Sequence, residues 1–339
     1  MDWEEMRQEA RRKLGKVCPV CPVCNGVVCA GQMPGMGGLG TGASFKNNFA
    51  ALATFRLNMR TLHAVDEPAL GVTLLGQALA LPVLGAAIAG AQMNLNGALS
   101  EEELAYAMLA GSATAGTLAM TGDGPDPEVW RAGLAALARA GGRGIPIIKP
   151  RPLPAILERA KQAADAGALA VGIDVDAAGI LMMRRAGQPV GPKPLAELRE
   201  LVARLELPLV LKGVMTVADA ETAAAAGAAA IVVSNHGGRS LDHLPGTAEV
   251  LPEIAAAVNG KLTILVDGGI RSGVDVLKML ALGADAVLLG RPLTIAAVGG
   301  GAEGVALSLR RLADELRTAM VLTACPSPSA AGPHILRAG

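Results

Sequence analysis

Short apolar segments alternate with helix-like, alanine-rich stretches over most of the chain. Eight apolar segments follow residue 80, each followed by a break at glycine or polar residues; they span residues 81–88, 116–120, 145–149, 168–175, 208–214, 229–235, 263–269 and 286–292. Several helix-like stretches between them end at glycine, as helices often do. Strands that are buried on both faces and alternate with helices are typical of a parallel sheet. Eight such units predict an α/β fold of the (β/α)8 TIM-barrel type rather than an open doubly wound sheet.

One long apolar region precedes the second of these segments. Residues 71–93 carry no charged side chain and are numerous enough to cross a bilayer. Pro82 and four glycines interrupt the region, however, and its pattern fits short buried strands. We therefore predict two short strands around a Gly76–Gln77 turn, followed by the first barrel strand, and no membrane helix.

The charge balance favours a small-molecule ligand. The 339 residues include 30 basic and 30 acidic side chains, so net charge gives no reason to expect nucleic acid or an anionic membrane as a partner. Residues 1–16 are charged and lack the apolar core of a secretion signal, which predicts a cytoplasmic protein. We expect residues 1–70 to form a helical, cysteine-containing extension that packs on the barrel of residues 71–339.

Polar residues stand where several predicted strands end. In a barrel of this kind the active site lies at the carboxyl ends of the strands. His236, after the sixth strand, is a candidate general base, and Arg239 is a candidate anchor for a substrate carboxylate. A histidine at a strand end is more often structural than catalytic, but its neighbours favour catalysis. Those neighbours are Lys212, Asp267 and Arg271, and Asp174 and Asp176 end the fourth strand.

The last two strands carry the pattern of a phosphate site. Their ends supply glycines whose backbone can approach an anion, and arginines suited to bidentate phosphate contacts: Gly268, Gly269, Arg271, Gly290 and Arg291. The loops after strands seven and eight commonly bind phosphate in these barrels. The sequence thus predicts a phosphorylated ligand. Lys212, in an apolar strand, needs an anionic partner, either Asp174 or Asp176 or an electron-rich cofactor ring.

Two stretches of the chain closely resemble the FMN-dependent 2-hydroxy acid oxidase and dehydrogenase family, of the glycolate and lactate oxidase type. They are "LVLKGVMTVADAETAAAAGAAAIVVSNHGGRSLDHLPGTAEVLPEI" and "VDGGIRSGVDVLKMLALGADAVLLGRP". "NNFAALATFRLNMRTLHAV" and "LADELRTAMVLTAC" are similar too. The resemblance is loose over residues 36–325 and tight over residues 207–325. It implies an enzyme that uses FMN to oxidise a small 2-hydroxy acid to the 2-oxo acid, as a homo-oligomer of four or more subunits.

The resemblance also implies residue roles. Lys212 would stabilise negative charge on the reduced flavin, His236 would be the catalytic base supported by Asp176, and Arg239 would bind the substrate carboxylate. Residues expected to contact FMN, besides Lys212, are Ala87, Ala89, Ser234, Asp267, Gly268, Gly269, Arg271, Gly290 and Arg291.

The sequence departs from the family at the substrate site. The family supplies two tyrosines there, whereas this chain has the single Tyr106, in a helical stretch. Lys149 stands at the end of strand three, and Asp174 replaces the usual threonine. Lys149 either favours a more acidic substrate or pairs with a neighbouring carboxylate. The segment after strand four is also shorter than the family's mobile loop, which predicts a more open site.

The largest departure is "CPVCPVCNGVVC", residues 18–29. Cys18, Cys21, Cys24 and Cys29 fall within twelve residues, and clustered thiolates of this kind bind zinc or an iron–sulfur cluster. A redox-active dithiol or free thiols are the alternatives, whereas structural disulfides do not suit an intracellular chain. We expect Cys325 to lie in the core and the remaining histidines, His63, His243 and His334, to be structural.

Two other functions fit parts of the pattern. Lys149 and the absent tyrosines are compatible with another FMN barrel reaction, such as isomerisation of a phosphorylated substrate. The cysteine segment is compatible with a flavin- or metal-binding redox sensor.

Overall fold

The N-terminal region combines two helices with short strands. The computed structural model describes residues 1–338. The first elements are α1 (Trp3–Leu14), α2 (Ala43–Thr54), β1 (Phe55–Leu57), β2 (Val72–Leu74) and β3 (Gln77–Leu79). β2 and β3 form an antiparallel hairpin whose turn contains Leu75 and Gly76, both at positive φ. The predicted pair of short strands is therefore confirmed, but the turn lies one residue earlier than predicted, because Gln77 pairs with Leu74 as part of the second strand.

Eight parallel strands close into a barrel, which confirms the predicted fold. They are β4 (Val83–Ile88), β5 (Ala119–Thr121), β6 (Gly144–Ile148), β7 (Val171–Asp174), β8 (Leu209–Val214), β9 (Ala230–Val233), β10 (Thr263–Val266) and β11 (Ala286–Leu289). All eight lie within predicted apolar segments or at their edges, and β11 pairs with β4 to close the ring. Leu74 and Leu79 of the hairpin join the apolar cluster inside the barrel. The hairpin thereby fills one end of the barrel and leaves the other for a site.

Helices surround the barrel and cover the outer faces of the strands. They are α3 (Ala91–Asn94), α4 (Glu101–Thr114), α5 (Pro127–Arg139), α6 (Leu153–Asp165), α7 (Leu181–Arg185), α8 (Leu195–Arg204), α9 (Val217–Ala226), α10 (Thr247–Val258), α11 (Gly273–Ala281) and α12 (Arg291–Leu322). Ser100 and Ser272 begin α4 and α11 with capping boxes, in which the serine accepts from the backbone N–H three residues on. The larger apolar core lies between these helices and the strands.

The last helix, α12, joins the N-terminal region to the barrel. Among the described residues, α12 alone has the length and apolar composition to cross a membrane. However, 67% of its most apolar 18-residue stretch is buried inside the protein. It breaks at Gly300 and Gly301, whose backbone is not helical. α1 packs against α12 through Met6, and a Cβ at Gly299 would lie 2.2 Å from the Met6 carbonyl oxygen. Only glycine permits this approach.

The two ends of the chain are also joined by strand pairing. A final strand, β12 (Leu336–Ala338), pairs antiparallel with β1. In α1, Met6, Ala10 and Leu14 recur every fourth residue and are buried. Burying an apolar side chain of the size of Met6 or Leu14 stabilises a fold by about 1.5–3 kcal/mol. The N-terminal extension is thus held on the barrel at both of its ends.

Candidate active site

The carboxyl ends of the barrel strands line a cavity of about 630 Å³. Most of the residues that the sequence singled out meet here: Ala87, Ala89, Asp176, Lys212, His236, Arg239, Asp267, Gly268, Gly269, Arg271, Gly290 and Arg291. Ser234 lies beneath the cavity, where its hydroxyl donates to both carboxylate oxygens of Asp267 at 2.8 Å. A volume of 630 Å³ is within the range of small-molecule and cofactor sites.

His236 is held in a defined orientation by Asp176. The backbone of His236 is left-handed, with φ +59°, and its Nδ1 lies 3.1 and 3.2 Å from the two Asp176 oxygens. An Nδ1–H that donates to a carboxylate leaves Nε2 unprotonated and able to accept a proton. Gly213 makes room for Asp176, because a Cβ there would lie 2.5 Å from the Asp176 Cγ. The arrangement is that of an oriented general base.

Asp174 is the centre of a buried charge cluster. Its Oδ2 lies 2.5 Å from the Lys149 ammonium and its Oδ1 lies 3.0 Å from the Lys212 ammonium. Burial alone would raise the pKa of Asp174, but the charges of His236, Lys149 and Lys212 outweigh it and hold that pKa well below its usual value. Burial would also lower the pKa of Lys212, yet the surrounding aspartates raise it. Both shifts favour the charged forms of Asp174 and Lys212.

The pairing of Lys149 with Asp174 decides between the two interpretations of Lys149. Its ammonium is neutralised inside the protein rather than left free for an acidic substrate. Asp123, which is not among the predicted site residues, accepts the Lys149 backbone N–H at 3.0 Å and ion-pairs with Arg151. Asp123 follows the end of a neighbouring strand, and this position in the sequence could have identified it as a site residue.

Asp174, Asp176 and His236 also bring their ligand atoms within 4.8 Å of one another. Such a group can in principle hold a metal ion. Lys149 and Lys212, however, already donate to Asp174, and two ammonium groups at this distance oppose the binding of a further cation. The cluster is accounted for by its own charges.

Three arginines that line the cavity concentrate positive charge. Among the described residues, Arg239, Arg271 and Arg291 form no ion pair with a carboxylate. Burial, and then the charges of Arg239 and Arg271, lower the pKa of Arg291. Three guanidinium groups gathered without a counter-charge create a strong preference for an anion. This agrees with the predicted phosphate site.

Backbone carbonyl groups of residues 35–37 hold two of these arginines, Arg239 and Arg291. Arg239 donates to the carbonyl oxygens of Gly35 and Gly37, and also to Asn94. Arg291 donates to the Met36 carbonyl oxygen at 2.7 Å and to that of Gly37 at 2.9 Å. These contacts could not be predicted from the sequence, because backbone carbonyl groups leave no residue-specific signal.

The cysteine segment lies next to the arginines but does not form a compact metal centre. No three sulfurs of Cys18, Cys21, Cys24 and Cys29 come within 4.8 Å of one another among the described residues, and all are free thiols. The expectation of a zinc ion bound by all four is thus not supported, because the loop spreads the sulfurs around a small pocket. Burial raises the pKa of Cys18 to about 11 and also raises that of Cys29, which does not suit a reactive dithiol.

Cys325, predicted to lie in the core, and the three histidines predicted to be structural do not line the cavity. Cys325 is fully buried just beyond the end of α12. His63 contacts the Arg60 carbonyl oxygen and accepts from the Val65 N–H. His243 and His334 are exposed, and neither lines the described cavity.

Comparisons with known proteins agree with this geometry. A family described as FMN-dependent dehydrogenase matches residues 35–195 and 191–338. An L-lactate oxidase of Nostoc sp. is 35% identical over 332 residues, which cover 85% of this chain and 88% of that protein. A 4-hydroxymandelate oxidase of Amycolatopsis orientalis is 56% identical over 129 residues, but that match spans only 38% of this chain and 36% of the relative.

Solved structures extend the similarity over nearly the whole chain. A mandelate oxidase variant with 2-hydroxy-phenylacetamide is 34% identical, with a TM-score of 0.78, and the match covers 98% of this chain and 97% of that one. A second mandelate oxidase variant, which carries a C4a-OH-FMN adduct, is 33% identical with a TM-score of 0.77 and 99% coverage of both chains.

Proposed function

Because this chain belongs to the family of FMN-dependent 2-hydroxy acid oxidases and dehydrogenases, we propose that it binds FMN and oxidises a small 2-hydroxy acid to the corresponding 2-oxo acid. The observation that carries the proposal is the oriented imidazole of His236 at the mouth of a flavin-sized cavity. A histidine base, an anchoring arginine and a flavin site are the parts that this oxidation requires.

The residues present fit FMN. Arg291 is half-buried with no described carboxylate partner, so a phosphate would supply the missing negative charge. Arg271 would join Arg291 at that phosphate. Residues 86–89 line the cavity and would lie along a tricyclic ring, and Lys212 would face the ring's electron-accepting end. When bound, FMN accepts the two electrons that leave the substrate.

The protein's own part in the reaction is to bind, orient and deprotonate. Arg239 donates three hydrogen bonds to the surrounding protein, and its remaining N–H groups can bind the substrate carboxylate. His236 Nε2 would take the proton of the α-hydroxyl group, and Asp176 would stabilise the imidazolium that results. A positioned base of this kind contributes about 10²- to 10⁴-fold to the rate.

Lys149 bears on the substrate class. Where the family supplies a tyrosine hydroxyl, this chain places an ammonium that Asp174 neutralises. The site therefore gains no net positive charge for a second acidic group. We propose a substrate with a single carboxylate, bound by Arg239.

The test is anaerobic reduction of the flavin. The purified protein should be yellow, and lactate, glycolate or mandelate, offered as a panel, should bleach its absorbance. His236→Ala should retain the flavin and lose the bleaching. A protein that binds no FMN, or whose flavin none of the 2-hydroxy acids reduces, would contradict the proposal.

A further inference from the structure

Four cysteines surround one small pocket beside the phosphate-facing arginines. Cys18, Cys21, Cys24 and Cys29 line it together, and Arg291 forms part of its wall. All four thiols are free, although they fall within twelve residues of sequence. The proposed oxidation of a hydroxy acid uses none of them. The chemistry of this pocket is therefore a separate question from that of the cavity.

The spread of the sulfurs discriminates between kinds of metal centre. A single zinc ion lies about 2.3 Å from each sulfur, which brings tetrahedral ligands to within about 4 Å of one another. Here no three of the described sulfurs come within 4.8 Å. In an iron–sulfur cluster different cysteines bind different iron atoms, so the ligands lie further apart. The spacing of the first three cysteines, with two residues between each pair, is also that of bacterial iron–sulfur sequences.

The surroundings of the cysteine segment are cationic. Arg7 donates to the carbonyl oxygens of Val20 and Cys21, at 3.2 and 2.9 Å, and Arg11 also donates to that of Val20. On the barrel side, Arg271 donates to the Cys24 carbonyl oxygen at 3.0 Å, with a second nitrogen 3.5 Å from the Cys24 sulfur.

This charge has no counterpart among the described residues. Arg7, Arg11, Arg271 and Arg291 form no described ion pair with a carboxylate. A cluster with four thiolate ligands carries net negative charge, which the guanidinium groups of Arg7 and Arg11 would help to balance. A phosphate in the cavity would account for Arg271 and Arg291, but Arg7 and Arg11 belong to α1 and do not line the cavity.

The segment is anchored on its inner side and open on its outer side. Cys18 and Val20 are buried, whereas Val27 and Val28 are 59% and 63% exposed. The pocket measures about 20 Å³, the space of about one water molecule, so a cluster requires the outer part of the loop to move toward solvent. No buried packing of Val27 or Val28 opposes this movement. The arginine contacts hold the inner part in place.

We propose that Cys18, Cys21, Cys24 and Cys29 bind an iron–sulfur cluster beside the phosphate end of the flavin site. Protein purified without oxygen, or reconstituted with ferrous iron and sulfide, should contain about two to four iron atoms per chain and an equal amount of acid-labile sulfide. After dithionite reduction it should show the electron paramagnetic resonance signal of a reduced cluster.

Two cysteine variants give the matched comparison. In Cys21→Ser, at a half-buried position of the pocket, the iron content, the sulfide content and the resonance signal should each be at least 10-fold lower than in the unaltered protein. Cys325→Ser, at a buried cysteine outside the pocket, should retain all three. Circular dichroism and thermal unfolding of Cys21→Ser establish that the loss is not caused by unfolding.

Three results would overturn the proposal. They are stoichiometric zinc without labile sulfide, a disulfide within residues 18–29 in protein kept free of oxygen, and equal iron content in Cys21→Ser and the unaltered protein. Each readout is independent of flavin content and of substrate oxidation, so failure here leaves the proposed oxidase activity standing.

Discussion

Replacing Asp174 with asparagine removes the charge that holds two buried ammonium groups together. Asp174 contacts Lys149 at 2.5 Å and Lys212 at 3.0 Å, and all three side chains are at most 10% exposed. Asparagine preserves the size and one acceptor oxygen. The variant therefore tests the charge of Asp174 rather than its volume, and Lys149 and Lys212 are left to repel each other.

The expected loss of stability is large. At an effective dielectric constant of about 20, each contact contributes about 5–7 kcal/mol of Coulomb attraction. The desolvation of the ions already opposes this by several kcal/mol in the native protein. Removing one partner of such a buried pair leaves that penalty uncompensated, so the free energy of unfolding of Asp174→Asn should fall by about 3–5 kcal/mol.

A double-mutant cycle isolates the pair. Lys149→Met removes one ammonium and keeps an apolar side chain. The double variant should lose less free energy of unfolding than the two single variants lose together, by about 1–3 kcal/mol. Urea unfolding, followed by circular dichroism, measures all four proteins. Asp165→Asn is the matched control, because Asp165 pairs with Lys161 at 2.9 Å but on the surface, where such pairs contribute under about 1 kcal/mol. Additive effects of Asp174→Asn and Lys149→Met, or equal losses from Asp165→Asn and Asp174→Asn, would refute this account of the cluster.

Three further outcomes follow from the same geometry. Asp176→Asn should retain FMN but lower kcat by about 10²-fold or more, since the His236 tautomer is no longer fixed; stopped-flow flavin reduction measures this, and an unchanged rate would contradict it. Arg291→Met should weaken FMN binding by about 10- to 100-fold, because it removes charge-assisted hydrogen bonds that contribute about 1.5–3 kcal/mol; a fluorescence titration measures this. Because the pKa of Asp174 is lowered in the folded protein, its contribution to stability is present above the unfolded value of about 3.9 and is lost as the pH falls through the folded pKa. The acid side of a stability–pH profile should therefore be flatter in Asp174→Asn, and identical profiles would contradict the assignment.

The barrel was predictable from the sequence because its strands are buried on both faces. Continuous apolar runs separated by helical spacing leave a strong pattern, and all eight predicted segments contain or adjoin a strand. The pairing of β1 with β12 was not predictable in this way. Each strand is only three residues long, β1 is partly exposed, and the two strands lie at opposite ends of the chain. Neither strand is long enough to leave an apolar pattern in the sequence.

The members of the site were predictable, but their partners were only partly so. The carboxyl ends of parallel strands meet at one edge, which is why His236, Lys212 and Asp176 could be grouped before the structure was known. Asp174 and Lys212 are direct neighbours in the register of β7 and β8. Lys149 follows β6, the other neighbour of β7, but a strand order alone does not show which carboxylate its flexible side chain reaches.

The substitution of lysine and aspartate for the family's tyrosine and threonine is best understood as one change. Asp174 lies between Lys149 and His236: its Oδ1 is 3.4 Å from His236 Nδ1 and its Oδ2 is 2.5 Å from Lys149. An unpaired ammonium at position 149 would therefore be close enough to oppose the positive charge that His236 gains when it takes a proton. Asp174 neutralises that ammonium and adds a second carboxylate beside the imidazole. Asp174→Asn should therefore lower kcat more than Lys149→Met does, because the first variant exposes His236 to two uncompensated cations and the second removes one. An equal or larger loss in Lys149→Met would instead mean that the Lys149 ammonium itself contacts the substrate.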